Sequence, residues 1–434
     1  MDKGQKLWEK AKTLIPGGNM LLSKRPEMFL PEQWPAYYSR AKGCNVWDLD
    51  GVKYVDMSIM GVGANVLGYG RPEVDEAVCK AAMSGNLSTL NAPEEVALAE
   101  RLIDIHPWAD MARFARTGGE ANAIAIRIAR AASGRDNVAI CGYHGWHDWY
   151  LATNLVKGDD LDGHLLPGLD PNGVPQNLRG SVLPFKYNDF EGLEGLIKNS
   201  DIGVIKMEVM RNFPPEDNFL HKVRDIATKN GIVLIFDECT SGFRQNFGGL
   251  HKTFDVTPDM AVFGKALGNG YACTAVIGKS EVMQAAQSTF ISSTFWTERI
   301  GSAAALATLN VMENENPWSA IIETGKTITR RWQELAKKYD LLIKTSGLPS
   351  LTSFAFVSEN AQAYKTLITQ EMLKKGYLSS NSVYVCTAHT PEVLSGYFDA
   401  LDPIFAQIKT CEEGLDVTSL LNGPIAHSGF SRLN

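Results

Sequence analysis

Disulfide and zinc frameworks are missing from this sequence. The seven cysteines are dispersed and none forms a C-x-x-C pair; they stand at positions 44, 79, 141, 239, 273, 386 and 411. Cysteines spaced in this way are typical of reduced, mostly buried thiols in a cytoplasmic protein. They exclude a disulfide-stabilised scaffold and a cysteine-rich zinc site.

Positive charge is also scarce. Lysine and arginine number 42 against 49 aspartates and glutamates, so the net charge is -7 and the pI is near 5.7. A nucleic-acid-binding surface needs clustered basic residues. The composition therefore excludes that class of protein.

Long hydrophobic runs are absent as well. No uncharged apolar stretch approaches the roughly 18 residues that a membrane span needs. The first residues, MDKGQKLWEKAKTLIPGG, are charged throughout, so we expect no signal peptide. Their apolar residues recur at helical spacing, which predicts an amphipathic helix that ends at Pro16-Gly17-Gly18.

Apolar residues make up 44% of the 434 residues, enough for a large enzyme of two or three domains. The stretch NVWDLDGVKYVDMS predicts a hairpin around Asp50-Gly51. From about Arg71 onward, helices alternate with short apolar strands, among them NVAICGY, IGVIKMEV, GIVLIFDE and DMAVFG. This alternation predicts an α/β fold with a mainly parallel sheet covered on both faces. The predicted large domain is 60–313, and 1–59 with 314–434 form a smaller α+β domain.

Two charged residues follow predicted strands of this sheet. Asp237 ends GIVLIFDE, and Lys265 follows DMAVFG among glycines that allow close approach of a ligand. Ligands of such sheets bind at the carboxyl ends of the strands. A lysine there can form a Schiff base, and a carboxylate can keep a pyridine nitrogen protonated. A helix cap for Asp237 and a surface position for Lys265 are the structural alternatives.

The segment Thr117-Gly118-Gly119-Glu120 joins a predicted strand to a predicted helix. Amides at the start of a helix favour an anion, so a phosphate is expected here, although an ordinary turn has the same pattern. Tyr143, after the next strand, is a candidate for stacking on a flat ring. His144 and His147 stand three residues apart without an evident third ligand, so no metal site is predicted.

Taken together, these motifs resemble the class III (fold type I) pyridoxal-phosphate aminotransferases, and in particular their glutamate-1-semialdehyde aminomutase branch. The resemblance covers nearly the whole chain, from residue 16 to about 405. It rests on DECTSGFR, FDVTPDMAVFGKALGNG, TGGEAN and GYHGWHD, and on the 28 residues that separate Asp237 from Lys265. It implies a large domain with a mainly parallel sheet, a smaller α+β domain and pyridoxal 5'-phosphate as cofactor.

The resemblance also implies roles for individual residues. Lys265 is the Schiff-base lysine, and Asp237 is the partner of the pyridine nitrogen. The remaining implied cofactor contacts are Thr117, Gly118, Gly119, Tyr143, Glu208 and Thr294. Because the family's equivalent of Thr294 reaches the phosphate of a neighbouring subunit, a homodimer with shared sites is implied.

The substrate is less well defined, because the chain departs from the aminomutase branch in its substrate-binding segments. Three segments differ from those usual in the branch: PGGNMLLSKRPEMF, Ser58–Gly61 and Trp296–Arg299. The cations that we expect to contact an anionic substrate are Lys24, Arg25, Arg211 and Arg299. This combination resembles aminotransferases of bacterial surface-carbohydrate pathways, including those of 8-amino-Kdo synthesis. An L-glutamate donor and a carbonyl sugar-acid acceptor are expected; the alternatives are the aminomutase of tetrapyrrole synthesis and a non-catalytic cofactor-binding protein.

Overall fold

The structure is a computed structural model that describes residues 2–164, 166–430 and 433. Its helices are α1 (Lys3–Leu14), α2 (Pro72–Met83), α3 (Pro93–Ile105), α4 (Gly118–Ser133), α5 (Asp148–Leu151), α6 (Phe190–Asn199), α7 (Phe219–Lys229), α8 (Ser280–Met283), α9 (Arg299–Glu315), α10 (Trp318–Lys338), α11 (Ala361–Lys374) and α12 (Pro391–Glu412). Within the described part of the chain, none of them is long and apolar enough to cross a membrane.

The strands are β1 (Tyr38–Lys42), β2 (Asn45–Asp48), β3 (Lys53–Met57), β4 (Met111–Ala115), β5 (Asn137–Cys141), β6 (Val182–Pro184), β7 (Ile202–Glu208), β8 (Val233–Glu238), β9 (Met260–Phe263), β10 (Thr274–Gly278), β11 (Ile343–Ser346), β12 (Leu351–Phe356), β13 (Tyr377–Ser379) and β14 (Ser382–Tyr384). The apolar strands predicted from the sequence are present as β5, β7, β8 and β9.

The chain divides into two compact units, Met1–Arg71 with Ser319–Asn434, and Pro72–Trp318. The second unit contains a seven-stranded sheet in the order β4-β10-β9-β8-β7-β5-β6. Strands β9, β8, β7, β5 and β6 pair in parallel, while β10 runs antiparallel to both β4 and β9. The predicted α/β fold with a mainly parallel sheet is confirmed.

Helix α4 covers the middle of this sheet with its apolar face. Ala121, Ile124, Ala125 and Ile128 are buried in one hydrophobic cluster with side chains of β5, β7, β8 and β9. These are the residues whose helical spacing predicted the buried face. Burial of this kind stabilises a helix more than its intrinsic propensity does. It also fixes the helix start, Gly118, beside the carboxyl ends of the strands.

The first unit contains a four-stranded sheet, β1-β2-β3-β13, and a three-stranded sheet, β11-β12-β14. Strands β2 and β3 form the predicted hairpin, and Gly51 takes the left-handed backbone (φ 82°) that its turn requires. Strand β13 pairs in parallel with β3, so the two ends of the chain build one sheet. The domain boundaries at residues 60 and 314 stay predictions.

The C-terminal extension packs within the first unit. The backbone N–H of His427 donates to the carbonyl of Glu27 (2.7 Å), and that of Ala426 donates to Thr366 Oγ1 (3.0 Å). Gln362 Nε2 donates to the carbonyl of Ala426 (2.8 Å). The extension is therefore held by α11 and by the segment that precedes β1.

Candidate active site

Asp237 lies at the carboxyl end of β8, in register with Glu208 of β7, and its side chain is almost fully buried. Its Oδ2 accepts hydrogen bonds from Asn122 Nδ2 of α4 (2.9 Å) and from His144 Nδ1 (2.8 Å). Its Oδ1 accepts from the backbone N–H of Cys239 (3.0 Å). These donors orient the carboxylate and favour its ionised form.

A buried lysine adds to this effect. Lys206 Nζ of β7 lies 3.8 Å from Asp237 Oδ2. Burial by itself raises the pKa of Asp237, but the charge of Lys206 and the hydrogen bond from His144 outweigh burial and hold the pKa well below its usual range. The carboxylate is therefore ionised at neutral pH. A helix cap, the structural alternative for Asp237, does not describe its contacts.

Lys265 follows β9 and takes a left-handed backbone conformation, with φ of 45°. Its Nζ donates to Thr240 Oγ1 at 2.8 Å. Burial and the nearby charges of Arg211 and Arg244 lower the pKa of Lys265 to about 8. Because the neutral amine is the nucleophile, this environment activates the lysine.

Glu208 and Arg211 form an ion pair beside this lysine. Arg211 donates to both oxygens of Glu208, from Nε to Oε2 (2.7 Å) and from Nη2 to Oε1. Nη2 also approaches Thr240 Oγ1 at 3.4 Å, the oxygen to which Lys265 donates. Of the four predicted substrate cations, Arg211 thus stands next to the reactive amine.

The start of α4 supplies amides for an anion. Thr117 caps the helix: its Oγ1 accepts from the backbone N–H of Glu120 (3.3 Å), and Glu120 Oε2 accepts from the backbone N–H of Thr117 (2.9 Å). The first N–H groups of a helix have no carbonyl partner within it. The amides of Gly118 and Gly119 are such groups, as an anion site requires.

The glycines at this helix start are required by close packing. A Cβ on Gly119 would lie 3.0 Å from His147 Cδ2 and 3.4 Å from Trp146 Nε1. A Cβ on Gly145 (φ 103°) would lie 3.0 Å from the Cα of Gly119. The loop after β5 therefore packs directly against the helix start, and a side chain at either glycine would disturb this contact.

Tyr143 lies in the same loop and is half-buried. Its ring meets Tyr150 edge to face at 5.9 Å between centroids. Burial raises its pKa, and the charges of Arg211 and Asp237 also act on its hydroxyl. Tyr143 is therefore near both charged residues, and its stacking on a cofactor ring stays a prediction.

Thr294 begins a short exposed turn, Thr294–Thr297. The turn is tied to the start of α4, because Arg116 Nη2 donates to the carbonyl of Trp296 (2.8 Å) and Trp296 Nε1 donates to Glu120 Oε1 (3.2 Å). Thr294 is exposed, and its contact with a second subunit stays a prediction.

The other predicted substrate cations have different surroundings. Arg299, at the start of α9, forms an ion pair with Glu94 of α3, with Nη2 to Oε1 at 2.8 Å. Lys24 is exposed and Arg25 half-buried; both belong to the first unit, where the guanidinium of Arg25 lies 5.8 Å from the ring centroid of Phe430. Their contact with substrate stays a prediction.

The two histidines of GYHGWHD face different partners. His144 Nδ1 donates to Asp237 Oδ2, whereas His147 lies against Gly119. Burial lowers the pKa of both imidazoles. In the described residues, no group of three or more histidine, cysteine, aspartate or glutamate side chains is arranged to hold a metal ion.

Sequence reasoning missed several members of this site. Thr240, which accepts the hydrogen bond of Lys265, is part of the DECTSGFR motif, and Asn122 ends TGGEAN, so both motifs offered a clue. Arg244, in the same motif as Thr240, is fully buried. Lys206 gave no clue beyond being the single basic residue of IGVIKMEV.

The residues present fit pyridoxal phosphate. A reactive lysine, a buried ionised carboxylate, helix-start amides and a tyrosine converge at one end of the sheet. When bound, this cofactor supplies an aldehyde for an amine and a protonated ring nitrogen that withdraws electrons. The site thus defines a fold type I pyridoxal-phosphate enzyme.

Comparison with known proteins identifies the family. The sequence profile described as aminotransferase class-III matches residues 31–393. The chain is 32% identical over 424 residues to 3-aminobutyryl-CoA aminotransferase of Cloacimonas acidaminovorans, covering 94% of this chain and 97% of that protein. It is 33% identical over 366 residues to glutamate-1-semialdehyde 2,1-aminomutase of Methanothrix thermoacetophila, covering 82% of each.

Solved structures agree with the fold. The β-phenylalanine aminotransferase of Variovorax paradoxus is 25% identical, with a TM-score of 0.79 and coverage of 94% of both chains. An omega-transaminase from Sphaerobacter thermophilus is also 25% identical, with a TM-score of 0.81 and coverage of 93% of this chain and 97% of that one. The chain belongs to the class III aminotransferase family and is a pyridoxal-phosphate-dependent aminotransferase.

Proposed function

We propose that this aminotransferase moves an amino group from L-glutamate to the aldehyde or keto group of a sugar acid, of the 8-oxo-Kdo type, in bacterial surface polysaccharide (lipopolysaccharide) biosynthesis. The observation that carries the proposal is Arg211, a cation that shares the Thr240 hydroxyl with Lys265. An arginine binds a carboxylate through two parallel hydrogen bonds. Both glutamate and a sugar acid present such a carboxylate.

Within this proposal, Lys265 holds the cofactor aldehyde and then moves the proton from the substrate Cα through its Nζ. A pKa of about 8 suits this role, because a general base works best when its pKa is near the operating pH. Asp237 keeps the ring nitrogen protonated. Thr117, Gly118 and Gly119 bind the phosphate, Thr294 does so from a second subunit, and Tyr143 stacks on the ring.

Glu208 gives Arg211 a resting partner. Without substrate, both carboxylate oxygens of Glu208 are bound to the guanidinium. A substrate carboxylate has to compete with this pair, so the arginine is not left unpaired in a half-buried site between turnovers. Replacing Arg211 with Met should raise KM for both substrates, and Arg211→Lys, which keeps the charge but loses the fork, should restore only part of the loss. An unchanged KM in Arg211→Met would contradict the role.

Relatives of two kinds suggest alternative substrates. The relative named 3-aminobutyryl-CoA aminotransferase matches almost the full length of the chain, and relatives named as aminomutases match at 29–33% identity.

A purified enzyme incubated with L-glutamate alone should release 2-oxoglutarate once per active site and stop. Addition of the aldehyde sugar acid should then restart turnover and yield the aminated sugar.

The same assay tests the alternatives. Acetoacetyl-CoA in place of the sugar acid would yield 3-aminobutyryl-CoA if that activity belongs to this chain. Glutamate-1-semialdehyde without any donor would yield 5-aminolevulinate if the chain is an aminomutase. Faster turnover with either compound than with the sugar acid would overturn the sugar proposal while leaving aminotransferase chemistry intact.

A homodimer is proposed because large apolar side chains are exposed around Thr294. Phe290 and Phe295 are 82% and 69% exposed on either side of it, and Trp146 in the loop beside α4 is 68% exposed. Exposed apolar side chains that lie close together mark interaction surfaces. Light scattering should show a dimer, and an active monomer would contradict it.

A cytoplasmic location is proposed from the thiols. The seven cysteines are all free in the structure, and five of them are buried. Unpaired thiols are typical of a reducing compartment. Fractionation of the source cells would test the location.

A further inference from the structure

Lys206 is a fully buried lysine in the central sheet. Strand β7 is buried along its whole length, and Lys206 stands in register between Ile140 of β5 and Ile235 of β8. Its side chain is 0% exposed, and its Nζ lacks a hydrogen-bond partner among the described residues. A buried ammonium group without compensation is strongly unfavourable. The lysine therefore needs a physical explanation.

Asp237 is the acidic residue that compensates the buried charge of Lys206. The 3.8 Å between Lys206 Nζ and Asp237 Oδ2 is too long for a hydrogen bond and short enough for an ion pair. The other titratable groups that act on Lys206 are Glu208 on its own strand, Cys239 just beyond β8, and His144 in the loop after β5. Of these, His144 also contacts Asp237 directly.

We propose that Lys206 is the counter-ion of Asp237 in the cofactor-free protein and that it gives up its proton when pyridoxal phosphate binds. Asp237 is ionised and almost fully buried, so it needs a positive charge whether or not the cofactor is present. The protonated ring nitrogen brings that charge. Two cations beside one carboxylate repel each other in a dry site. Because Asp237 keeps the ring nitrogen protonated, the lysine is the cation that becomes neutral.

The direction of the proton shift follows from the surroundings of Lys206. Burial lowers the pKa of Lys206, and the charge of Asp237 opposes this by favouring the ammonium form. When the protonated ring nitrogen pairs with Asp237, the carboxylate stabilises the Lys206 ammonium less. The effect of burial then dominates, and the pKa of Lys206 falls further. The proton then leaves Nζ for solvent or replaces one that the ring nitrogen would take from solvent. By either route, the number of protons that the protein exchanges with the buffer on binding the cofactor differs by one from the number for a protein without the lysine.

Calorimetry can count this proton. Binding of pyridoxal 5'-phosphate to full-length apoprotein is measured in two buffers of different ionisation enthalpy, for the wild type, Lys206→Met and Lys206→Arg. The wild type should release close to one proton more than either variant. Lys206→Arg, whose charge is fixed, should also bind the cofactor about tenfold more weakly or worse. Lys198→Met, a change at an exposed lysine of α6, should leave the proton count unaltered.

Two outcomes would overturn the proposal. An unchanged proton count in both variants would show that His144, not Lys206, titrates. An equal loss of melting temperature in apoprotein and holoenzyme of Lys206→Met would show a merely structural lysine, since a counter-ion needed without cofactor should matter more in the apoprotein. If Lys206→Met does not fold, the proton count and affinity of Lys206→Arg decide alone.

Discussion

The charge of Arg211 should control the reactivity of Lys265, and the change Arg211→Gln tests this. Lys265 Nζ and Arg211 Nη2 lie 2.8 Å and 3.4 Å from the same Thr240 oxygen, so they are no more than 6.2 Å apart. At an effective dielectric constant of about 20, two like charges at this distance repel by roughly 2.7 kcal/mol, equivalent to about two pKa units. Because solvent screens part of this effect, we expect removal of the charge to raise the pKa of Lys265 by about one to two units.

The pKa of Lys265 determines the fraction of its amine that is neutral. With a pKa of about 8, about one amine in ten is neutral at pH 7, and this fraction grows as the pH rises through 8. A rise of one to two units lowers the neutral fraction about 10- to 100-fold at that pH. Only the neutral amine attacks an acylating reagent, so the labelling rate reports this fraction directly.

Trace acetylation of the apoprotein over a pH series measures the pH at which half of the Lys265 amine is neutral. The label on the Lys265 peptide is quantified by mass spectrometry and normalised to the exposed Lys198. Arg211→Lys is the matched control, because it keeps the positive charge and should keep the midpoint near the wild-type value. The reasoning is refuted if Arg211→Gln leaves the midpoint unchanged, or if Arg211→Lys shifts it equally.

Three further predictions concern the cofactor site. Lys265→Ala should abolish turnover while circular dichroism stays native, and borohydride trapping in the wild type should place the cofactor on Lys265; a label on another lysine would contradict the assignment. Asp237→Asn should lose about 3–4 kcal/mol of transition-state stabilisation, as expected for a preorganised catalytic charge, and normal half-reaction rates would show that the charge is dispensable. Thr117→Ala should cost about 1 kcal/mol in urea unfolding of the apoprotein through loss of the helix cap, whereas Thr117→Ser should not; equal losses would point to the methyl group instead of the hydroxyl.

The sequence was informative where local patterns determine structure. Strand ends, glycines and helical spacing indicated the parallel sheet, α4 and the positions of Asp237 and Lys265, because a strand end or a helix start depends on a few neighbouring residues. The antiparallel strand β10 between β4 and β9 was not predicted, since pairing between distant strands leaves no trace in local composition.

The same limit applies to the site. Thr240 and Lys206 belong to it through contacts across 25 and 31 residues of sequence, to Lys265 and Asp237 respectively. In the sequence alone, neither the threonine of the motif nor the lysine of the apolar strand shows a sign of these contacts, which form only when the strands pair in the sheet. Conversely, Arg299 was grouped with the substrate cations by position in the sequence, and only the fold brings Glu94 to its guanidinium.

The left-handed backbone of Lys265 has a consequence for any attempt to stabilise this enzyme. A residue with a side chain at φ of 45° retains about 1–2 kcal/mol of strain that glycine would avoid. Lys265→Gly should therefore unfold at a higher denaturant concentration than Lys265→Ala, although both lack the amine. A screen that selects only for stability would accept glycine at this position, although the variant lacks the lysine amine. The strained backbone conformation thus occurs at the residue whose amine we propose as the Schiff-base partner.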